Sequence, residues 1–363
     1  MMQVGIDNFV ASATDPGTGR AVSAAGRMRD LLEEIELADH LGLDSFGIGE
    51  HHRREFYDSA PAVILAAAAA RTKRIRLNSA VTVLSAADPV RVFQEFATLD
   101  LISDGRAEIV AGRGSFIEAF PLFGLVLDDY DSLFEEKLQL LLAIRDSPEV
   151  HWSGRHRAAL SGQGVYPRPV QDPLPIWVGV GGTPQSFVRA GALGLPLMVA
   201  IIGGNPRQFR PLVDLYREAG RRAGHEPSHL KVGVHVPGLV GESDDEAADL
   251  WFPGWKQLLD TIGRERGRGP VTRHAFDVAR GPEGAMFVGA VETVTAKIIS
   301  LSEVLGGISR VSIQMTNAGI AHQTLLRGIE LLATRVAPEV RRATSSSNTG
   351  ERGPARTPLA AGR

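Results

Sequence analysis

Ser45-Phe46-Gly47-Ile48-Gly49-Glu50-His51-His52 is an apolar run of strand length that ends abruptly in three ionisable side chains. Polar groups at the end of a buried strand are costly unless they are partnered or used. In barrels of alternating strands and helices, the C-terminal strand ends build the active site. Adjacent residues of an extended segment point to opposite faces, so at most one of His51 and His52 looks directly into such a mouth. Glu50, His51 and His52 are therefore the first candidates for catalysis.

Reading outward from this strand, short apolar runs alternate with longer stretches at helical spacing. Strands are expected at Val4–Phe9, Ser45–Gly49, Ile75–Leu84, Arg106–Gly112, Pro175–Gly179, Pro196–Ile202, Leu230–Val236 and Arg310–Met315. Helices are expected at Arg27–Leu41, Ser59–Arg71, Asp88–Ile102, Leu127–Arg145 and Thr183–Ala192. Further helices follow from Asn205 to near Gly224, and over Val291–Leu305 and Gly319–Val336. Pro89 and Pro184 suit first helical positions, and Thr183 offers a hydroxyl cap. Continuous apolar strands fit a parallel sheet buried on both faces. Eight strand–helix units predict a single α/β domain, a (β/α)8 TIM barrel over residues 1–342, with insertions at its C-terminal mouth. Segments 146–174 and 249–287 exceed a minimal barrel. They are expected to shape the mouth or to serve subunit contact. Residues 343–363, rich in Ser, Thr, Gly, Pro and Arg, read as a disordered tail.

Bulk properties narrow the function. The chain has 363 residues, 44% hydrophobic, with a formal net charge of −3. Interspersed charges give no electrostatic hold on nucleic acid or a membrane surface. The absence of cysteine excludes disulfides, thiolate nucleophiles and Cys-ligated metal. No leader is apparent at the N-terminus and the alanine-rich run near Ala60–Ala70 is too short to span a bilayer, so the default compartment is the cytoplasm.

Other stretches suggest binding chemistry. His51 and His52 suit proton transfer near neutral pH, although an exposed polar edge is an equal alternative. No HExxH or comparable set supports a metal site. In Ala111-Gly112-Arg113-Gly114-Ser115, glycines admit a ligand close to the backbone and Arg113 supplies a planar fork for phosphate. An ordinary glycine turn with a surface arginine is the plain alternative. Gly179-Val180-Gly181-Gly182-Thr183-Pro184-Gln185-Ser186 joins a strand to a helix, where free N–H groups and two hydroxyls could meet an anion. It is neither a Walker motif nor a dinucleotide fingerprint. Ile202-Gly203-Gly204-Asn205-Pro206 repeats the design and could admit a flat ring or only cap the helix.

Taken in order, these stretches resemble the bacterial luciferase-like flavin monooxygenases. The resemblance rests on Gly49-Glu50-His51-His52, Ser79 through Arg91, Leu99 through Arg106, Gly112-Arg113-Gly114, Phe123-Gly124, Pro175 through Gly179 and Ala192 through Pro196. It covers about residues 2–340. It implies a (β/α)8 barrel, usually dimeric, holding FMN at the C-terminal mouth. In such enzymes reduced flavin, often supplied by a separate NAD(P)H-dependent reductase, reacts with O2 to a peroxyflavin that oxygenates a small organic substrate. By position, His51 matches the family's catalytic histidine, with Glu50 and His52 beside it. Ala80-Val81 falls where the family often has a cis peptide against the flavin ring. Gly112, Arg113, Gly179, Gly181, Gly182 and Thr183 fall at cofactor positions, with Ser186 a further candidate. Two departures stand out: Gly112 replaces the reactive cysteine of the luciferase α subunit, and Asp131 falls at or near a phosphate-binding arginine, so bioluminescence is not implied. A deazaflavin-dependent hydride transferase and a non-catalytic flavin-binding barrel are the alternatives. A metal-dependent hydrolase lacks a ligand set. His151, Trp152, His156 and Tyr166 in one insertion, and Trp251, Trp255 and His274 in the other, could line the mouth or simply pack. The substrate itself is not legible.

Overall fold

The computed structural model describes residues 1–14 and 18–347. Eight parallel strands close on themselves: β1 (Gln3–Asn8), β2 (Ser45–Ile48), β3 (Arg76–Ser79), β4 (Ala107–Gly112), β5 (Ile176–Val180), β6 (Leu197–Ala200), β7 (Val232–Val240) and β8 (Arg310–Gln314). Each pairs with its chain neighbour, and β1 pairs with β8, so no edge is left open. These are the eight runs anticipated from the sequence.

The outer layer comprises α1 (Ala24–Leu41), α2 (Pro61–Ala69), α3 (Pro89–Ser103), α4 (Tyr130–Asp146), α5 (Pro184–Ala192) and α6 (Arg210–Arg222). It continues with α7 (Asp244–Glu265), α8 (Arg273–Arg280), α9 (Val291–Val304), α10 (His322–Leu331) and α11 (Ala337–Ser347). Local chemistry sets several ends. Ser23 caps α1 by accepting from Gly26 N, and Gly42 closes the helix in the left-handed region at φ 83°. Asp88 caps α3, accepting from Val90 N and Arg91 N ahead of Pro89.

Several boundaries differ from the sequence expectation. The run Ile75–Leu84 is broken into β3 and a two-residue strand, Thr82–Val83, which pairs with β4. The seventh strand runs on through Pro237 to Val240, where it acquires a partner, Phe287–Gly289, inside the second insertion. That insertion is mostly helical, as α7 and α8. The first insertion carries an antiparallel pair, Glu149–Trp152 with Leu160–Gly164. Thr183 does stand at the N-cap of α5, but its side chain makes no capping hydrogen bond. The supposed tail is helical as far as Ser347, because α10 continues through a π turn at Leu332–Val336 into α11. The remainder of that tail lies outside the described residues.

The lumen is not an all-aliphatic plug. At its N-terminal end the Arg310 guanidinium donates to Glu108 Oε2 at 2.6 Å and to Gln3 Oε1 at 2.9 Å. Its carbon lies 4.5 Å from the centre of the Trp177 ring. Arg76 also pairs with Glu108. Above this layer Val110, Trp177 and Met198 form a small apolar floor with Val81 packed on it.

Candidate active site

At the end of β2, His51 is held from both sides. Its Nδ1 lies 2.8 Å from Oδ2 of Asp58, a fully buried carboxylate from the loop that follows. Burial pushes the Asp58 carboxyl above its usual range, and the hydrogen bond and charge of His51 oppose that rise. When that carboxylate is ionised it can only accept, and Nδ1 is then the donor, which leaves Nε2 turned away from the pair. Three rings surround it: Phe56 at 4.5 Å, Phe9 at 4.8 Å and Phe116 at 5.5 Å between centroids. Gly49 makes this packing possible, since a Cβ there would lie 2.6 Å from both Asp58 Oδ2 and Phe9 Cδ1.

Glu50 and His52 are not brought to the same place. His52 Nε2 lies 3.1 Å from Glu50 Oε1, and its ring meets Phe123 edge-on at 5.1 Å. Both residues line a groove of about 880 Å³ bordered by α2, α3 and Tyr166. The alternation expected of an extended segment therefore separates the two histidines. Glu50 still bears on the mouth, because its Oε2 accepts from Val83 N at 2.8 Å and ties the end of β2 to the segment after β3.

In that segment the Ala80–Val81 peptide bond is cis. The Val81 side chain rests against two glycines: Cβ atoms at Gly112 and Gly179 would lie 2.5 Å and 2.8 Å from it. A residue with any side chain at either position would displace Val81 from the floor.

Across the mouth, Arg113 is aimed at the strand–helix turn after β5. Its Nη2 lies 3.5 Å from both Thr183 Oγ1 and Ser186 Oγ, and its guanidinium sits over the Tyr130 ring at 5.0 Å. Asp131 holds the other nitrogen. Thus Asp131 is the ion-pair partner of Arg113. Gly181 and Gly182 have open space where a Cβ would be. A planar cation, two hydroxyls and an uncapped helix start make a donor set that fits a phosphate.

Two features were not anticipated. His235 on β7 pairs through Nδ1 with Asp7 Oδ2 on β1 at 2.6 Å, and its ring stacks on Phe9 at 5.5 Å. The signal was present: Asp7 interrupts the apolar first strand, and His235 shares the inward register of Gly233. Arg53, just after His52, donates to Glu265 Oε1 at 2.6 Å and also pairs with Glu118, linking the loops after β2 and β4 to the end of α7. The second insertion therefore reaches the mouth. Its Trp255 packs on Phe276 at 5.3 Å, and Trp251 is buried with its carbonyl accepting from Asn317. In the first insertion His156 bonds Ser132 Oγ at 2.9 Å, whereas His151 is exposed.

The closed barrel, the histidine–carboxylate pairs at its C-terminal mouth and the Arg113–Thr183–Ser186 cluster belong to a (β/α)8-barrel enzyme. The family model for luciferase-like monooxygenases matches residues 2–306. The chain belongs to that family. Among solved structures it is similar to monooxygenase RslO1 from Streptomyces bottropensis, with 26% identity, TM-score 0.79, and 93% and 99% of the two chains covered. It has the fold of the oxygenating constituent of 3,6-diketocamphane monooxygenase from Pseudomonas putida, a type II Baeyer–Villiger enzyme solved with FMN (22% identity, TM-score 0.73, 94% and 99% covered). It also has the fold of an F420-dependent secondary alcohol dehydrogenase (19% identity, TM-score 0.74, 94% and 99% covered). The same fold thus carries an FMN-bound monooxygenase and an F420-dependent dehydrogenase.

Proposed function

We propose that the protein is an FMN-dependent monooxygenase that uses reduced flavin and O2 to oxygenate a small organic molecule. The observation that carries this reading is the convergence of Arg113, Thr183 and Ser186 on one point of the mouth, with the His51–Asp58 pair in an aromatic wall of the same mouth. Bound there, reduced FMN would supply the two electrons with which one atom of dioxygen enters the substrate and the other leaves as water.

Arg113 would exchange Asp131, which is 72% exposed, for the phosphate, a swap that costs little because exposed ion pairs are weak. Thr183 and Ser186 hydroxyls and the N–H groups near Gly181 and Gly182 would complete the hold. Val81, with Gly112, Gly179 and Ala80, would form the floor under the ring system. His51 would hold or move a proton at Nε2, kept in register by Asp58. Phe9, Phe56 and Phe116 would keep water from the reacting atoms.

A separate NAD(P)H-dependent reductase as the source of reduced flavin, a cytoplasmic setting and a homodimer belong to the same proposal. Support for the dimer comes from the groove beside α2 and α3, whose rim leaves Val63, Ile102, Phe123 and Tyr166 exposed. Among the described residues no helix is long and apolar enough to cross a membrane.

The deciding experiment titrates the purified protein with FMN, reduced FMN and the deazaflavin cofactor, following absorbance, fluorescence and oxygen uptake. Preferential binding of FMN or its reduced form with oxygen consumed is expected. Exclusive deazaflavin binding would replace the reaction with hydride transfer, and tight FMN binding without oxygen uptake would leave a binding protein.

A further inference from the structure

The pair His235–Asp7 has no task in the flavin site described above. The anion clamp stands at the ends of β4 and β5, whereas this pair stands at β7 and β1, several strands around the ring. Gly233 faces the lumen floor, since a Cβ there would meet Met198 and Trp177. Two residues further along β7, His235 therefore points to the same interior, nearer the mouth. It is 7% exposed and Asp7 is 2% exposed.

The neighbours leave the pair unsatisfied. Asp7 Oδ2 takes the Nδ1 hydrogen of His235, and Asp7 Oδ1 is buried without a partner among the described residues. Gly47 makes room for that oxygen, because a Cβ at Gly47 would lie 2.2 Å from it. Nε2 of His235 makes no hydrogen bond among the described residues. On the adjoining strands the histidine is in register with Ala200 and Ser312, and the Ser312 hydroxyl is itself unpartnered. Beyond the stacked Phe9 ring lie His51 with Asp58, then Phe56 and Phe116.

We propose that His235 and Asp7 form a second acid–base pair, which binds an aromatic or enolic alcohol and takes its hydroxyl proton. With Nδ1 committed to a carboxylate, the neutral ring offers a lone pair at Nε2, and only a donor satisfies it. Flat apolar rings on the adjoining wall suit an aromatic body carrying that donor. In the step itself the substrate O–H bond breaks and an Nε2–H bond forms. The electron pair stays on the substrate oxygen, and Asp7 remains ionised beside the imidazolium. Nothing is oxidised or reduced. The resulting oxyanion enriches its ring or double bond in electron density, which prepares the carbon for an electrophilic oxygen. The statement that this alcohol is the substrate rests on the monooxygenase reading; the site does not.

The test uses 4-nitrophenol, whose phenol and phenolate forms absorb differently. It is titrated into flavin-free protein at a pH where the free probe is mainly the phenol. Binding with appearance of the phenolate band is expected. His235→Gln and Asp7→Asn should each reduce the phenolate-to-phenol ratio of the bound probe by roughly tenfold, the equivalent of one pKa unit. FMN affinity, measured by fluorescence on the same variants, should stay unchanged and shows that they fold. No binding, binding as the neutral phenol, or a phenolate band surviving in His235→Gln would each overturn the proposal. A His235-dependent phenolate band in a protein that binds no FMN would uphold this site and sink the flavin reading. FMN binding and oxygen uptake without that band would do the reverse.

Discussion

At the scale of single residues, the proposed function gives separate tasks to Arg113, which would hold the phosphate, and His51, which would move a proton. His51→Ala removes the imidazole paired with Asp58 but touches none of Arg113, Thr183 and Ser186. It should keep FMN affinity and lose on the order of 100-fold in product formation, the range general acid–base groups contribute. Single-turnover product analysis beside a fluorescence titration separates the two effects, and unchanged turnover would remove His51 from the chemistry. Arg113→Ala should weaken FMN binding by about 1.5–3 kcal/mol, a charge-assisted hydrogen bond lost. Asp131→Ala should tighten it, because the guanidinium then has no competing carboxylate. If both substitutions leave the dissociation constant unaltered, the clamp is not the phosphate site.

At the scale of elements, the junction of α1 with α10 shows how charge supports the closure. Arg27 and Asn8 donate to Glu34 in a buried network at 2.8 Å and 2.7 Å, and His322 at the start of α10 reaches the same carboxylate and Glu33. The geometry makes the Glu33 contact, at 3.0 Å, the better hydrogen bond, whereas the Glu34 oxygen at 3.4 Å acts mainly through its charge. Glu34, then Glu33, raise the His322 imidazole from 6.5 to about 9, against the opposing cost of burial. The folded value exceeds the unfolded one, so this stabilisation is fully present below about pH 6.5 and is lost as pH rises through about 9. Screened at a partly exposed site, it should amount to roughly 1 kcal/mol. Urea unfolding of wild type and His322→Gln between pH 6 and pH 9.5 checks this. The two stability curves should converge at the alkaline end, and parallel curves would contradict the assignment.

At the scale of the whole molecule, the barrel is closed around a polar knot as well as an apolar floor. Glu108 is held below the usual carboxylate range by Arg310 and Arg76, against the cost of its burial. Arg310 in turn spans Gln3, Glu108 and the Trp177 face, so one side chain joins β1, β4, β5 and β8. Removing one partner of a buried pair leaves an uncompensated charge and costs about 3–5 kcal/mol. Arg310→Met should lose that much by denaturant unfolding, and the double variant Arg310→Met with Glu108→Leu should recover part of it. A single variant as stable as wild type would show that the knot contributes nothing.

The sequence by itself determined the eight strands, because each is a short continuous apolar run bounded by turn chemistry and both faces of a barrel strand are buried. It also determined that His51 and His52 face opposite ways, a consequence of the two-residue period, while the tertiary structure decided which of them meets Asp58. The strand–turn–helix placement of Gly181, Gly182, Thr183 and Ser186 was legible from local chemistry in the same way. Only the tertiary structure decided which polar side chains meet. Asp58 with His51, Asp131 with Arg113, and Asp7 with His235 across 228 positions of chain are set by closure of the ring. No local pattern carries that information, because a carboxylate declares its partner only once the strands and helices beside it are placed.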